Sequence, residues 1–345
     1  MSEYQYYEFR ALDRPLTSQE MGKLRALSSR ALITPTSFVN TYHYGDFRGN
    51  PEDLVAKVFD AFVYVANWGT HEFFLRLPQQ FLTPQRVADF CTGSGLRTRV
   101  KAEHIVLQFR AEELEGGWEE GEGWMDSLLP VLGDLLQGDL RALYLGWLLG
   151  VQTEELDDDQ REPPPPPGLR NLPTHLESLV EFLEIDVNLL EAAAESAAEL
   201  EAALPSREQL QAVAPAGQEA SPPTLRTVGE LRAAAEKRAE EQQRREAERR
   251  RQKQERKERE EAIARASYLD TLRKQVPQSW SLVDTLIATK RSADYDRAAE
   301  LLKDLRELAE RGQQFEEFRL RLRQLRDEHA RKPSLLARLR AAGLE

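Results

Sequence analysis

Apolar positions follow three regimes along this chain. In residues 1–152 they come in short blocks of mixed period. Tyr4, Tyr6, Tyr7 and Phe9 form an aromatic-rich run with partial alternation, which predicts a strand ended by Pro15. LTSQEMGKLRALSSR predicts a helix with Thr17 or Ser18 as N-cap and Met21, Leu24 and Leu27 on one face. Phe38, Tyr42 and Tyr44 share parity in a second strand, about Thr36 to Tyr44. GDFRGNP is a turn by its glycines and Asn-Pro step, and Pro51 suits the first position of a helix carrying Leu54, Val55, Val58 and Phe59. DAFVYVANW and HEFFLRLP predict neighbouring strands divided by Gly69. LTPQRVADF predicts a short helix, and LRTRVK and HIVLQFRA further strand. Two apolar helices, about Gly123–Leu136 and Asp139–Val151, close the block. Strands mixed with helices and then helices alone predict an α+β domain, a mixed or antiparallel sheet with helices packed on one face.

The second regime is sparse. EELDDDQREPPPPPG, within 153–172, joins an acidic run to five consecutive prolines, which favour polyproline II and stop a helix. It is expected to be a linker. A ligand for a proline-recognition module is the sharper reading, but no PxxP with a basic anchor flanks it. In 173–204, Leu176, Leu179, Val180, Leu183, Val187 and Leu190 make one face of an acidic helix or helix pair. That face needs a partner, and the preceding domain is the economical one. Residues 205–224, with APAGQEASPPT, have the composition of a flexible linker.

The third regime opens with a helix, 225–275, nearly devoid of apolar positions. From Glu236 to Glu261, 20 of 26 residues are charged and only Ala239 and Ala247 are apolar. Acid-first pairs recur at i,i+4, among them Glu240/Arg244, Glu241/Arg245, Glu246/Arg250 and Glu255/Arg259. Without an apolar stripe the helix has nothing to bury, and without an a/d seam it cannot form a coiled coil. A solvated single helix of about 39 Å, used as a spacer, is the expectation. Apolar periodicity returns in 276–345 as four helices, a small bundle with Trp280, Leu282, Leu286, Ile287, Tyr295, Leu302, Leu305, Phe315, Phe318, Leu322 and Leu325 as its core.

Charge sharpens this division. The net charge of −12 resolves into −11 for 1–162, −8 for 163–224 and +7 for 225–345. A single cysteine, Cys91, excludes an intramolecular disulfide framework and fits a reducing compartment. The first residues lack the basic and apolar regions of a signal peptide. The run LRALYLGWLLGV is about half the length of a bilayer span and contains Arg141. A soluble cytoplasmic protein without a membrane partner is expected, its oligomeric state left open.

Candidate chemistry is thin. His43 beside Asp46, and His71 beside Glu72, are weak candidates for a general base. No HxxxH, HxH or HExxH spacing occurs, and one cysteine excludes zinc thiolate sites, so no metal and no cofactor is expected. Cys91, in DFCTGSG, reads as a small packed residue, and GSG lacks the spacing of a phosphate loop. Tyr4, Tyr6, Tyr42, Tyr44 and Phe47 exceed what one sheet face buries and form a candidate aromatic binding patch, with core packing as the alternative. Arg249, Arg250, Arg251, Lys253, Arg256 and Lys257 are a candidate nucleic-acid surface, although glutamates interleave and no aromatic is present to stack on a base.

Two segments carry a resemblance. YYEFRALDRPLTSQE…LSSRALITPTSFVNTYHYGDFRGNP resembles an uncharacterised family of bacterial proteins with no assigned activity. ADYDRAAELLKDLRELAERGQQFEEFRLRLRQLRDEHARKPSLLARLRAAGL is similar to a helical tail of bacterial proteins, some of which carry SWIM-type zinc fingers. The CxCxₙCxH ligands of that finger are absent here, so no functional residue carries over. The resemblance implies only a link to nucleic-acid or defence contexts. The sequence is best read as a non-enzymatic adaptor with a protein partner. A nucleic-acid-associated protein is the alternative, and a hydrolase or nuclease in the first domain is a third reading that requires His43, His71 and nearby carboxylates to converge.

Overall fold

The computed structural model describes residues 3–114, 120–203 and 225–344. The linker expected at 205–224 lies outside them. The chain divides into two compact units, 1–243 (the head) and 244–345 (the tail).

The head is built on seven antiparallel strands: β1 (Gln5–Arg10), β2 (Leu32–Ile33), β3 (Ser37–Tyr42), β4 (Ala61–Ala66), β5 (Thr70–Pro78), β6 (Leu96–Lys101) and β7 (His104–Ala111). Their order in the sheet is β2-β3-β1-β4-β5-β7-β6. Both faces are buried. One carries Tyr4, Tyr6, Val63, Phe73, Leu107 and Phe109, the other Tyr7, Phe9, Phe38, Phe62, Phe74 and Val106. Double-sided burial explains why AFVYVA reads as a continuous apolar run instead of an alternating one.

A thick helical layer covers the first face. It comprises α4 (Trp124–Leu128), α5 (Val131–Leu136), α6 (Arg141–Gln152), α7 (Thr174–Phe182) and α8 (Val187–Ala203), with the short α3 (Pro84–Val87) near the β6 end. The opposite face carries a thinner layer, α1 (Ser18–Leu27) and α2 (Pro51–Lys57). Local sequence starts both. Thr17 and Glu20 exchange hydrogen bonds in a capping box, and Asn50 Oδ1 accepts from Asp53 N at 3.0 Å with Pro51 at the first position. The two-residue β2 is too short to leave a pattern.

The head is larger than its apolar pattern announces. The segment expected as a linker at 153–172 is a strap across the helical layer, with Leu156 and Leu169 in the core and Glu162 only 1% exposed. The acidic helices 173–204 belong to the same core through Leu176, Leu179, Phe182 and Leu183. Polyproline makes no hydrogen bonds of its own, so its sequence does not distinguish a free spacer from a strap packed on a surface.

The charged helix, α9 (Val228–Lys274), also begins inside the head. Thr227 and Glu230 form its capping box, and Val228 and Leu231 are fully buried. Arginines six residues apart fasten this root. Arg226 pairs with Glu162 at 2.9 Å and donates to Ala192 O; Arg232 donates to Val151 O and pairs with Asp158; Arg238 pairs with Glu191 and Glu195. From Glu240 to Ala264 every residue of α9 is exposed, as its composition requires.

In the tail, Leu269 and Leu272 of α9 pack with α10 (Val276–Ala288), α11 (Ser292–Arg311), α12 (Phe315–Glu328) and α13 (Pro333–Ala341). Trp280, Tyr295, Leu302, Phe318, Leu322 and Leu335 form the centre. Leu282, expected in this core, is instead half exposed on α10. Among the described residues no helix is long and apolar enough to cross a membrane.

Candidate functional site

Strand alternation decides the fate of the histidine pairs. His71 and Glu72 are consecutive in β5 and therefore leave the sheet on opposite faces. His71 is 3% exposed, stacks on Phe182 at 4.8 Å between centroids, and its Nδ1 lies 2.7 Å from Phe182 O. It fastens α7 to the sheet. His43 is exposed in the loop after β3, its ring 6.0 Å from that of Tyr4. Asp46, also exposed, accepts from Gln5 Nε2 at 3.2 Å. The convergence required of a hydrolytic site is not formed by His43, Asp46, His71 and Glu72. Among the described residues, no group of three or more His, Cys, Asp or Glu side chains is placed to hold a metal.

The aromatic candidates separate in the same way. Tyr4 and Tyr6 are buried under the thick helical layer, and Tyr4 Oη accepts from Gly121 N at 3.1 Å. Tyr42 and Phe47 are half-buried on the opposite face against Tyr7. Only Tyr44 is largely exposed, with the Arg30 guanidinium over its ring at 5.7 Å. The expected patch is thus corrected to core packing plus one surface tyrosine, because neighbouring strand positions alternate faces. Around Tyr7 a polar cluster pins the following loop. Tyr7 Oη and Tyr64 Oη both donate to Gln5 Oε1, at 2.6 and 3.2 Å, while Gln5 Nε2 donates to Gly45 O. Burial pushes the Tyr7 phenol up to about 12.

Glu72 is the one candidate with an unusual environment. It lines a cavity of about 190 Å³ with Asn50, Pro51, Gln108, Arg97 and Arg110. Burial raises its pKa above the ordinary 4.5, and Arg110, with Nε 3.2 Å from Glu72 Oε1, opposes the shift only in part. An acid with a raised folded-state pKa holds its proton more tightly when folded. Its stabilising contribution is complete below the unfolded pKa and is lost as pH rises through the folded one. The variant Glu72→Gln is therefore expected to remove this decline and to be at least as stable as wild type at neutral pH. Urea midpoints taken from mildly acid to neutral pH check this; an unchanged slope would show that Glu72 ionises freely.

A second concavity escaped the sequence altogether. The strap, α7 and α8 enclose a groove of about 520 Å³ floored by Leu169, Leu172, Val180, Leu190 and Ala194, with Val187 59% exposed at its edge. Glu177, Glu191, Glu195, Arg170 and Arg238 border it. The 3.6-residue period of Leu176 to Leu190 was visible, but the burial of one half of that face and exposure of the other were not.

On α9 the basic candidates also divide. Arg251, Arg256 and Lys257 pair with Glu255, Glu260 and Glu261. Glu255 thus bonds backward to Arg251 and not, as expected, to Arg259. Arg249, Arg250 and Lys253 are exposed and form no ion pair among the described residues. A scan against protein-family models, a search of curated proteins and a search of solved structures each find no match to this chain.

Proposed function

We propose that this protein is a non-enzymatic adaptor whose head receives a helix of a protein partner in the groove between the strap, α7 and α8. The observation that carries the reading is the apolar floor of that groove, open to solvent and about 520 Å³ in volume. A helix-in-groove interaction uses apolar anchors at i, i+3, i+4 and i+7. Glu177, Glu191 and Glu195 border the groove against Arg170 and Arg238, a slight acidic excess, so the fitting partner has an apolar helix face with basic flanks. The tail is a second folding unit on the same chain and gives the adaptor its other attachment point. Burial pushes the Cys91 thiol up to about 11, which disfavours the nucleophilic thiolate at neutral pH and fits a non-enzymatic role.

The test uses the full chain as bait in extract of the native cell. Val187 is exposed, so Val187→Asp is expected to leave stability within about 0.5 kcal/mol. It is expected to cut recovery of the partner about tenfold, the loss of one apolar anchor. Sequencing of the recovered partner should reveal a basic amphipathic helix. Equal recovery on wild type and Val187→Asp would remove the groove reading.

A second reading is favoured by the unpaired Arg249, Arg250 and Lys253, which are free to meet nucleic-acid phosphates. Three such contacts give a log–log salt slope of about −2.7 on duplex DNA. Anisotropy titrations with a generic duplex measure this slope; no binding at low salt eliminates this reading.

A further inference from the structure

The cavity beside Glu72 contains a set of hydrogen-bond donors without acceptors. Sheet register builds it. Phe74, Gln108 and Arg97 stand opposite one another across β5, β7 and β6, and Glu72 stands opposite Arg110. Asn50, Pro51 and Glu52, at the start of α2, border the space above them.

Gln108 is 9% exposed, and its Nε2 is shut off from solvent with no hydrogen-bond partner. Arg110 Nε is likewise buried and makes no hydrogen bond, although it lies 3.2 Å from Glu72 Oε1 as an ion-pair neighbour. Arg97, exposed at the mouth, forms no ion pair. Arg110 also donates from Nη2 to Glu112 Oε1 at 2.6 Å, so its guanidinium is partly matched; the Gln108 amide is not, and buried donors are nearly always satisfied. Three donors facing one small polar cavity define a complement of hydrogen-bond acceptors.

The size and charge of the cavity narrow the class. About 190 Å³ is roughly six water volumes, room for a small molecule and too little for a nucleotide. The Arg97 guanidinium, which meets no carboxylate, favours an anion, while Arg110 is already paired with Glu72 and Glu112, and Glu72 and Glu52 in the lining disfavour a doubly charged one. A planar carboxylate also matches the two-donor edge that guanidinium and amide groups present.

We propose that this cavity is a binding site for a small monocarboxylate, whose oxygens accept from Gln108 Nε2, Arg110 Nε and the Arg97 guanidinium. The site lies on the sheet face opposite the α7–α8 groove, and neither assignment depends on the other. Occupation would satisfy both buried donors and tie α2 to β6 and β7.

Calorimetric titration of the full chain with propionate, at constant ionic strength, tests the assignment. Saturable binding in the millimolar range is expected, accompanied by a rise in melting temperature as propionate is added. Arg97→Ala, at an exposed position that leaves the fold intact, is expected to weaken binding roughly tenfold, the worth of one charge-assisted hydrogen bond. Gln108→Leu should abolish it. Arg99→Ala, which removes a guanidinium already paired with Glu52 and Asp53, should retain binding within about twofold, since it takes away no free donor. Absence of saturable binding, or binding indifferent to Arg97→Ala, overturns the proposal. Inorganic phosphate binding more tightly than propionate at the same residues overturns the monocarboxylate class.

Discussion

Glu162→Ala is expected to lower the stability of the head by about 3 kcal/mol, the lower end of the cost of breaking a buried ion pair by removing one partner. Glu162 is 1% exposed and accepts from the Tyr144 hydroxyl and from Arg226 Nε at 2.9 Å. Its removal strands both donors. Arg226 retains its bond to Ala192 O and some access to solvent, which keeps the loss from the upper end. Glu162→Gln preserves an acceptor and should lose less. Replacing both partners by methionine should be milder than Glu162→Ala, because no unpaired charge remains. Trp147, 1% exposed beside Tyr144, reports the transition by fluorescence, and a Trp280→Phe background removes the tail's contribution. If Glu162→Ala costs no more than Glu162→Gln, the strap is not held by this pair.

Phe182→Ala is expected to be among the most damaging single changes in the helical layer, at about 3–5 kcal/mol. Phe182 is fully buried, stacked on His71 and in edge contact with Trp124 at 5.1 Å. Truncation removes the packing that fixes α7 on the sheet while leaving the His71–carbonyl bond nothing to lean on. Phe182→Leu should recover about half, since a smaller cavity remains. The same variant should also weaken capture of the partner proposed for the groove, because α7 is one wall of it, although Phe182 does not line it. A loss below about 1 kcal/mol, typical of a surface position, would mean α7 is only loosely attached.

The strands and most helices were legible because their signals are local. Thr17 as an N-cap, the Asn50–Pro51 step, and the periodicity of Tyr295, Leu302 and Leu305 each report on neighbours within a few turns. The split of the 123–136 helix at Pro130 was available in the sequence and was smoothed over by the apolar residues on either side. What stayed hidden depends on partners far along the chain. Glu162 meets Arg226 across 64 positions, and nothing near either residue announces it. Arg97, Gln108 and Arg110 gather only once the register of three strands is fixed, and register is a tertiary property. The aromatic patch failed for a related reason. Counting tyrosines cannot tell a one-sided sheet from one covered on both faces.

The buried root of α9 has a consequence for synthesis. Val228 and Leu231 complete the head's core, yet 30 residues separate Ala197, the preceding buried position among those whose burial is described, from Val228. At about 5–20 residues per second, a ribosome takes roughly 1.5–6 s to make that stretch. Throughout that interval the nascent head lacks Val228 and Leu231 from its core, and Glu162 lacks its arginine. The head's core is complete only once the first turn of its own charged helix has been made.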